Sequence, residues 1–155
     1  MKEQEKQALV TAIRLLAATP KSRKSLQEKL KERGFPPEVL RGTLTHLEKQ
    51  GLLNDRALAQ SLFHSFMNYR PAGRKRIAFE LKKRGIQEEV VRELLENYSL
   101  GEEREKALEL AKHKKGRWAY LEAGKRRKKI YDFLIRRGFD YSLSREIIED
   151  LERDQ

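Results

Sequence analysis

The residue types that could carry covalent or metal chemistry are few and scattered. His46, His64 and His113 are the three histidines, and none belongs to a His-Glu-x-x-His spacing that would put two imidazoles and a base on one helix face. Ser22 and Ser25 have no neighbouring histidine and no Gly-x-Ser-x-Gly elbow. Asp55 follows Gly51-Leu52-Leu53-Asn54 and reads as a cap or first-turn carboxylate of a helix rather than as a catalytic acid. No glycine-rich Walker loop is present, so nucleotide hydrolysis would belong to a partner. Cysteine is absent, which excludes disulfides, thiol nucleophiles and thiolate-bound zinc. The expectation is a protein that is not an enzyme and has no cofactor or metal.

The remaining chemistry is electrostatic. Lys and Arg number 35 against 24 Asp and Glu in 155 residues, a net charge of +11, and such an excess favours a polyanionic or acidic partner. It is concentrated in three windows. Residues 21–33 hold six basic and two acidic side chains, 73–84 six and one, and 112–137 eleven and two, which leaves a net −7 on the rest of the chain. The candidate contacts are Arg23 and Lys24 in the first, Arg74, Lys75 and Arg76 in the second, and Arg126, Arg127, Lys128 and Lys129 in the third. Arg23/Lys24, Arg74/Lys75 and Arg126/Arg127 are expected on corresponding faces, as a stripe suited to a phosphate backbone or an acidic groove. The competing reading is that charge runs are solvated helix faces. Against it stands their recurrence on one helix type. Trp118 and Tyr120 lie beside basic residues and could stack on bases, but fastening a joint between repeats accounts for them better.

The elements that carry these groups are helical. Leucine occurs 22 times, whereas Val, Ile and Thr together total 15, a balance that favours helices over strands. Leu9, Ile13 and Leu16 fall at helical spacing, as do Leu40, Leu44 and Leu47, and Leu58, Leu62, Phe66 and Tyr69. No apolar run approaches the roughly 18 residues of a membrane span, and the charged N-terminus is unlike a signal peptide. A soluble, cytoplasmic chain is expected.

Self-comparison shows a threefold repeat. Leu30-Lys-Glu-Arg-Gly34-Phe35 recurs as Leu81-Lys-Lys-Arg-Gly85-Ile86 and as Leu134-Ile-Arg-Arg-Gly138-Phe139, with the glycines 51 and 53 residues apart. Each hexapeptide fits a Schellman closure, in which a left-handed glycine ends the helix and the next residue packs back on the leucine four before the glycine. Three three-helix repeats follow, at 1–51, 52–98 and 99–155. Helices are predicted at 3–18, 22–33, 37–50, 54–69, 73–84, 87–97, 102–115, 124–137 and 142–153. Ser22 and Gly73 are predicted N-caps, Pro37 a first-turn proline and Asp140 a third-repeat N-cap. Residues 98–101 and 112–125 are the expected flexible joints. The fold class is all-α, an elongated curved tandem array.

These residues, in this order, resemble the RecX family, regulatory proteins of the RecA recombinase. The first matching stretch runs from Ser25-Leu26 to Arg33-Gly34-Phe35 with Leu44 and Leu47. The second is Gly51-Leu52-Leu53-Asn54-Asp55-Arg56-Ala57-Leu58-Ala59, with Leu58 where the family has an aromatic residue. The third is Gly73-Arg74 through Ile77, Leu81 and Gly85-Ile86, and Arg136-Arg137-Gly138-Phe139 extends the match. The resemblance implies a monomeric helical modulator of RecA filaments on single-stranded DNA, with double-stranded DNA a further candidate ligand. It implies a place in DNA repair, recombination and the SOS response. Members usually restrain filament extension, ATPase, strand exchange and coprotease activity, whereas some support RecA, so the sign is left open. The alternatives are a stand-alone helical DNA-binding protein and a repeat scaffold for an acidic protein.

Overall fold

The computed structural model describes residues 2–153. Over these the chain forms nine helices and no strand: α1 (Glu3–Ala18), α2 (Arg23–Glu32), α3 (Pro37–Lys49), α4 (Asp55–Asn68), α5 (Arg74–Lys83), α6 (Glu88–Glu96), α7 (Leu100–Arg117), α8 (Ala123–Arg136) and α9 (Tyr141–Arg153). The fold is all-α, built from tandem helix triplets.

The repeated hexapeptides end the middle helices α2, α5 and α8 as their spacing dictates. Gly138 has φ +92°, a region that side chains with a Cβ disfavour. Its N–H donates to the Ile135 carbonyl at 3.0 Å, and Phe139 N–H reaches Leu134 at 3.1 Å, the two bonds of a Schellman closure. Ile86 and Phe35 donate to Leu81 and Leu30 in the same way, at 3.1 and 3.4 Å. Leu30, Leu81 and Leu134 are fully buried, so each closure also secures apolar surface worth roughly 1.5–3 kcal/mol per leucine. Gly51 ends α3 with a further closure, Leu52 N–H to Leu47 O at 3.0 Å. At the starts, Ser22 Oγ accepts the Ser25 N–H and Asp140 Oδ1 accepts the Leu143 N–H, while Pro37 occupies the first turn of α3.

Two expectations change. The helix predicted at 102–115 runs from Leu100 to Arg117, because Ser99 Oγ caps it by accepting the Glu102 N–H at 3.0 Å and Lys114, Lys115 and Arg117 suit its negative end. Its last turns occupy the first part of the joint expected at 112–125. The joint expected at 98–101 begins with an anchored residue: Tyr98 is buried, and its hydroxyl donates to the Ala72 carbonyl at 2.8 Å.

The chain divides into two compact units, one of residues up to Ser61 with Leu81–Val90, the other of Leu62–Glu80 with the residues from Val91 onward. In the first, Ala12, Leu26, Leu30, Leu40, Leu44, Leu47 and Leu53 form the core. In the second, Ala107, Ala111, Ile130, Leu134, Phe139, Ile147 and Leu151 do so. The division passes through the second triplet, and α5 contributes an end to each unit.

Candidate nucleic-acid and partner interface

The basic residues lie at the starts of the middle helices. In the first unit, Ser22 is buried as the N-cap of α2. Arg23 follows; its backbone N–H donates to Asp55 Oδ1 at 2.8 Å and its guanidinium pairs with Glu48. Asp55 therefore caps α2, while Asn54 caps Asp55's own helix by accepting the Ala57 N–H at 3.1 Å. Lys24, on the next step of α2, is exposed and has no ion pair among the described residues. Beside it is a depression of about 370 Å³ lined by Arg23, Lys24, Gln27, Lys82 and Gly85. Lys21 ends α1 by donating to the Leu15 and Thr19 carbonyls at 2.8 and 3.0 Å. Burial, and then the like charges of Lys29 and Arg84, lower its pKa. Gly85 sits here because a Cβ on it would lie 2.5 Å from Ser22 Oγ.

The second unit repeats the plan with tighter contacts. Gly73 N–H donates to the Arg137 carbonyl at 2.8 Å, and Lys75 N–H to Gly138 O at 3.2 Å. Arg74 takes the place of Arg23. Its N–H donates to Glu103 Oε2 at 2.7 Å, its Nε to Oε1 at 2.8 Å, and its Nη2 to the Tyr98 carbonyl. Its guanidinium also lies 5.4 Å from the Tyr98 ring centroid. Burial, reinforced by the Glu103 carboxylate, pushes the Tyr98 hydroxyl above the usual tyrosine range. Arg74 is thus spent on the joint. Lys75 and Arg76 are exposed: the Lys75 amine lies 5.5 Å from the Tyr141 ring centroid, and Arg76 pairs with Glu80 at 3.2 Å. Arg137 donates through Nε to the Pro71 carbonyl at 3.1 Å. Burial, then Arg76 and Arg70, lower its pKa.

The third basic run differs. Counted from the buried Leu26, Ile77 and Ile130, the residues matching Arg23/Lys24 and Arg74/Lys75 are Arg127/Lys128, one position beyond the expected Arg126/Arg127. Arg126 takes the place of Ser22 and Gly73 because α8 starts a turn earlier; its guanidinium donates to the Leu121 carbonyl at 2.9 Å. Arg127 pairs with Glu152 at 3.0 Å, Lys128 with Asp132 at 3.6 Å, and Lys129 sits 4.9 Å from the Trp118 centroid. Trp118 in turn meets Phe133 edge-on at 6.3 Å, so it fastens α7 to α8, while Tyr120 stays exposed.

Glu103 was not evident as a functional carboxylate from the sequence. One signal points to it: Asp55 and Glu103 each stand four residues before a buried alanine, Ala59 and Ala107. The described residues contain no group of three or more His, Cys, Asp or Glu able to hold a metal, and no helix among them is long and apolar enough to cross a membrane.

Repeated three-helix modules whose middle helices open on a basic turn define this protein as an all-α helical-repeat protein. Models of the first, second and third three-helix domains of RecX match residues 8–47, 54–95 and 102–148. The chain is 34% identical over 150 residues to the regulatory protein RecX of Chlorobium phaeobacteroides, covering 96% of each chain. It is 34% identical over 142 residues to that of Chlorobaculum tepidum, covering 92% of this chain and 86% of the relative. The crystal structure of RecX from Lactobacillus salivarius superposes with a TM-score of 0.83 at 24% identity, over 98% of this chain and 99% of that one. The chain belongs to the RecX family of regulatory proteins.

Proposed function

We propose that this chain is a non-enzymatic regulator that binds RecA filaments on single-stranded DNA and restrains their extension and the ATPase, strand-exchange and coprotease activities that depend on them. It acts as a cytoplasmic monomer in recombination and SOS-linked repair. The observation that carries this reading is the family membership over nearly the whole chain, in a protein whose exposed chemistry is cationic. Lys24, Lys75, Arg76 and the run Arg126 to Lys129 are the cations offered to phosphate or to acidic RecA surface. Arg23 and Arg74 hold the helix starts that present them. Weak contacts from successive repeats add through effective concentration, and the effect on RecA follows from which filament state is bound better.

The test is RecA ATPase on single-stranded DNA with substoichiometric amounts of this protein. Inhibition well below one chain per RecA supports filament capping or groove binding. No effect at several-fold excess rejects the reading. A stand-alone DNA-binding protein would instead keep its affinity for naked DNA at physiological salt without RecA.

A further inference from the structure

Two large aromatic side chains in the second unit are exposed beside its outward cations. Phe79 and Tyr141 are each 61% exposed. Phe79 lies one turn beyond Lys75 on α5, hence on the same face. Tyr141 opens α9, with the Lys75 amine 5.5 Å from its ring centroid. Lys75 therefore has one aromatic ring at its amine and another a turn further along its helix, and Arg76 adjoins it.

The repeat does not require these rings. The position of Phe79, six before the closing glycine, is Glu28 in the first repeat and Asp132 in the third. The position of Tyr141, three after it, is Pro37 and Glu88. An equivalent helix thus folds with a carboxylate where Phe79 stands. Exposed rings at solvated positions mark a contact surface rather than a core. The neighbouring carboxylates are occupied: Glu80 pairs with Arg76, and Asp140 accepts the Leu143 N–H.

We propose that Phe79 and Tyr141 are a base-stacking pair for single-stranded nucleic acid, with Lys75 and Arg76 taking the phosphates between the stacked bases. Stacking on exposed aromatics beside a cationic track tolerates any sequence and needs unpaired bases, so this site separates single strands from duplex. A base arriving on Tyr141 frees the Lys75 amine from a cation–π contact that is weak at an exposed site. The proposal deepens the filament reading by giving the chain its own contact with the strand, and it is tested without RecA.

The experiment compares the full chain with Phe79→Leu, Tyr141→Leu, the double variant, and Tyr141→Trp. Binding is read by fluorescence anisotropy with a short oligothymidylate and with a duplex of equal length, and circular dichroism checks the fold. Each leucine variant is expected to lose about tenfold in affinity for the single strand while duplex binding changes by less than about twofold. Tyr141→Trp keeps the affinity, and its added indole emission is quenched by oligothymidylate. Leucine variants that bind the single strand like the parent, or that lose duplex equally, overturn the proposal, as does an unquenched indole. A parent chain that binds no oligothymidylate at low salt also overturns it, even where RecA ATPase is inhibited. Leucine variants that keep strand affinity but lose ATPase inhibition assign the rings to protein docking and overturn it too. Stacking that holds while RecA ATPase is untouched upholds this site and removes only the filament reading.

Discussion

The carboxylate of Glu103 accepts both the backbone N–H of Arg74, at 2.7 Å, and its Nε, at 2.8 Å. Glu103 is only 4% exposed, so it leaves water to do this. Asp55 holds the N–H of Arg23 in the corresponding way at 2.8 Å. In each case the first turn of one triplet caps the middle helix of the triplet before it. Removing one member of a buried pair strands the other. Glu103→Ala is expected to lower the unfolding free energy by about 2–4 kcal/mol, Glu103→Gln by less, and Asp55→Ala by about 1 kcal/mol as a lost cap. Urea unfolding followed by circular dichroism measures this. A loss below about 0.5 kcal/mol for Glu103→Ala would put its carboxylate among ordinary surface groups.

Gly73 and Gly138 meet with no room for a side chain. A Cβ on Gly73 would lie 2.3 Å from the Gly138 carbonyl oxygen, and one on Gly138 would lie 2.3 Å from Arg76 N. Both obstacles include backbone, so neither can swing aside. Gly73→Ala is expected to cost more than about 2 kcal/mol and to broaden the unfolding transition. Gly42, inside α3 with nothing within 4 Å of its missing Cβ, serves as the contrast. Gly42→Ala should stabilise by roughly 0.5–1 kcal/mol through helix propensity alone. Equal effects at the two sites would contradict the close approach.

Tyr98 links stability to alkaline pH. Its hydroxyl titrates above its unfolded value near 10, chiefly because it is buried and next because Glu103 is close. The folded state therefore keeps a proton that the unfolded state gives up. The contribution is whole below pH ~10 and declines as pH rises from there toward the folded value. The lowered Lys21 and Arg137 act in the opposite sense, so the difference between the parent and Tyr98→Phe isolates the tyrosine. The parent's Tm should fall more steeply above pH ~10 than the variant's. One of the five tyrosines should form phenolate only on unfolding, seen by ultraviolet absorbance. Free titration of all five in the folded protein would refute this.

Much of the fold was legible because its information is local. Leu30-to-Phe35 and its copies encode helix end, glycine and packing partner within six residues, and the helical apolar spacing supplies the rest. The site was less legible because its decisive contacts are distant: Arg74 meets Glu103 across 29 positions and Arg23 meets Asp55 across 32. Composition assigns Arg74 and Lys75 the same charge, whereas the structure turns one into the joint and the other toward solvent. Asp55 is the first-turn carboxylate of its own helix and Asn54 that helix's cap, both readable locally; the reach of Asp55 to the Arg23 N–H is not. The third basic pair, counted back from Gly138 as Arg23/Lys24 and Arg74/Lys75 are from Gly34 and Gly85, is Arg127/Lys128 rather than Arg126/Arg127, and the added turn of α8 obscures this by extending the basic run upstream.

That division between joint and surface cations makes a prediction about charge. Lys24 and Lys75 are exposed and have no carboxylate partner among the described residues, so Lys24→Glu and Lys75→Glu should leave the unfolding free energy within about 0.5 kcal/mol of the parent. Both should weaken oligothymidylate binding and RecA ATPase inhibition together. Each lost phosphate contact should flatten the slope of log affinity against log salt by about 0.7 on single strands. Arg74→Glu should do the reverse in order of severity, placing a second carboxylate against the buried Glu103 and unfolding the joint before binding can be compared. Titrations at several salt concentrations with parallel melting curves separate the two kinds of residue. If both lysine variants bind like the parent in low salt, the basic turns are solvated helix starts, and the contact with RecA and DNA lies elsewhere on the repeats.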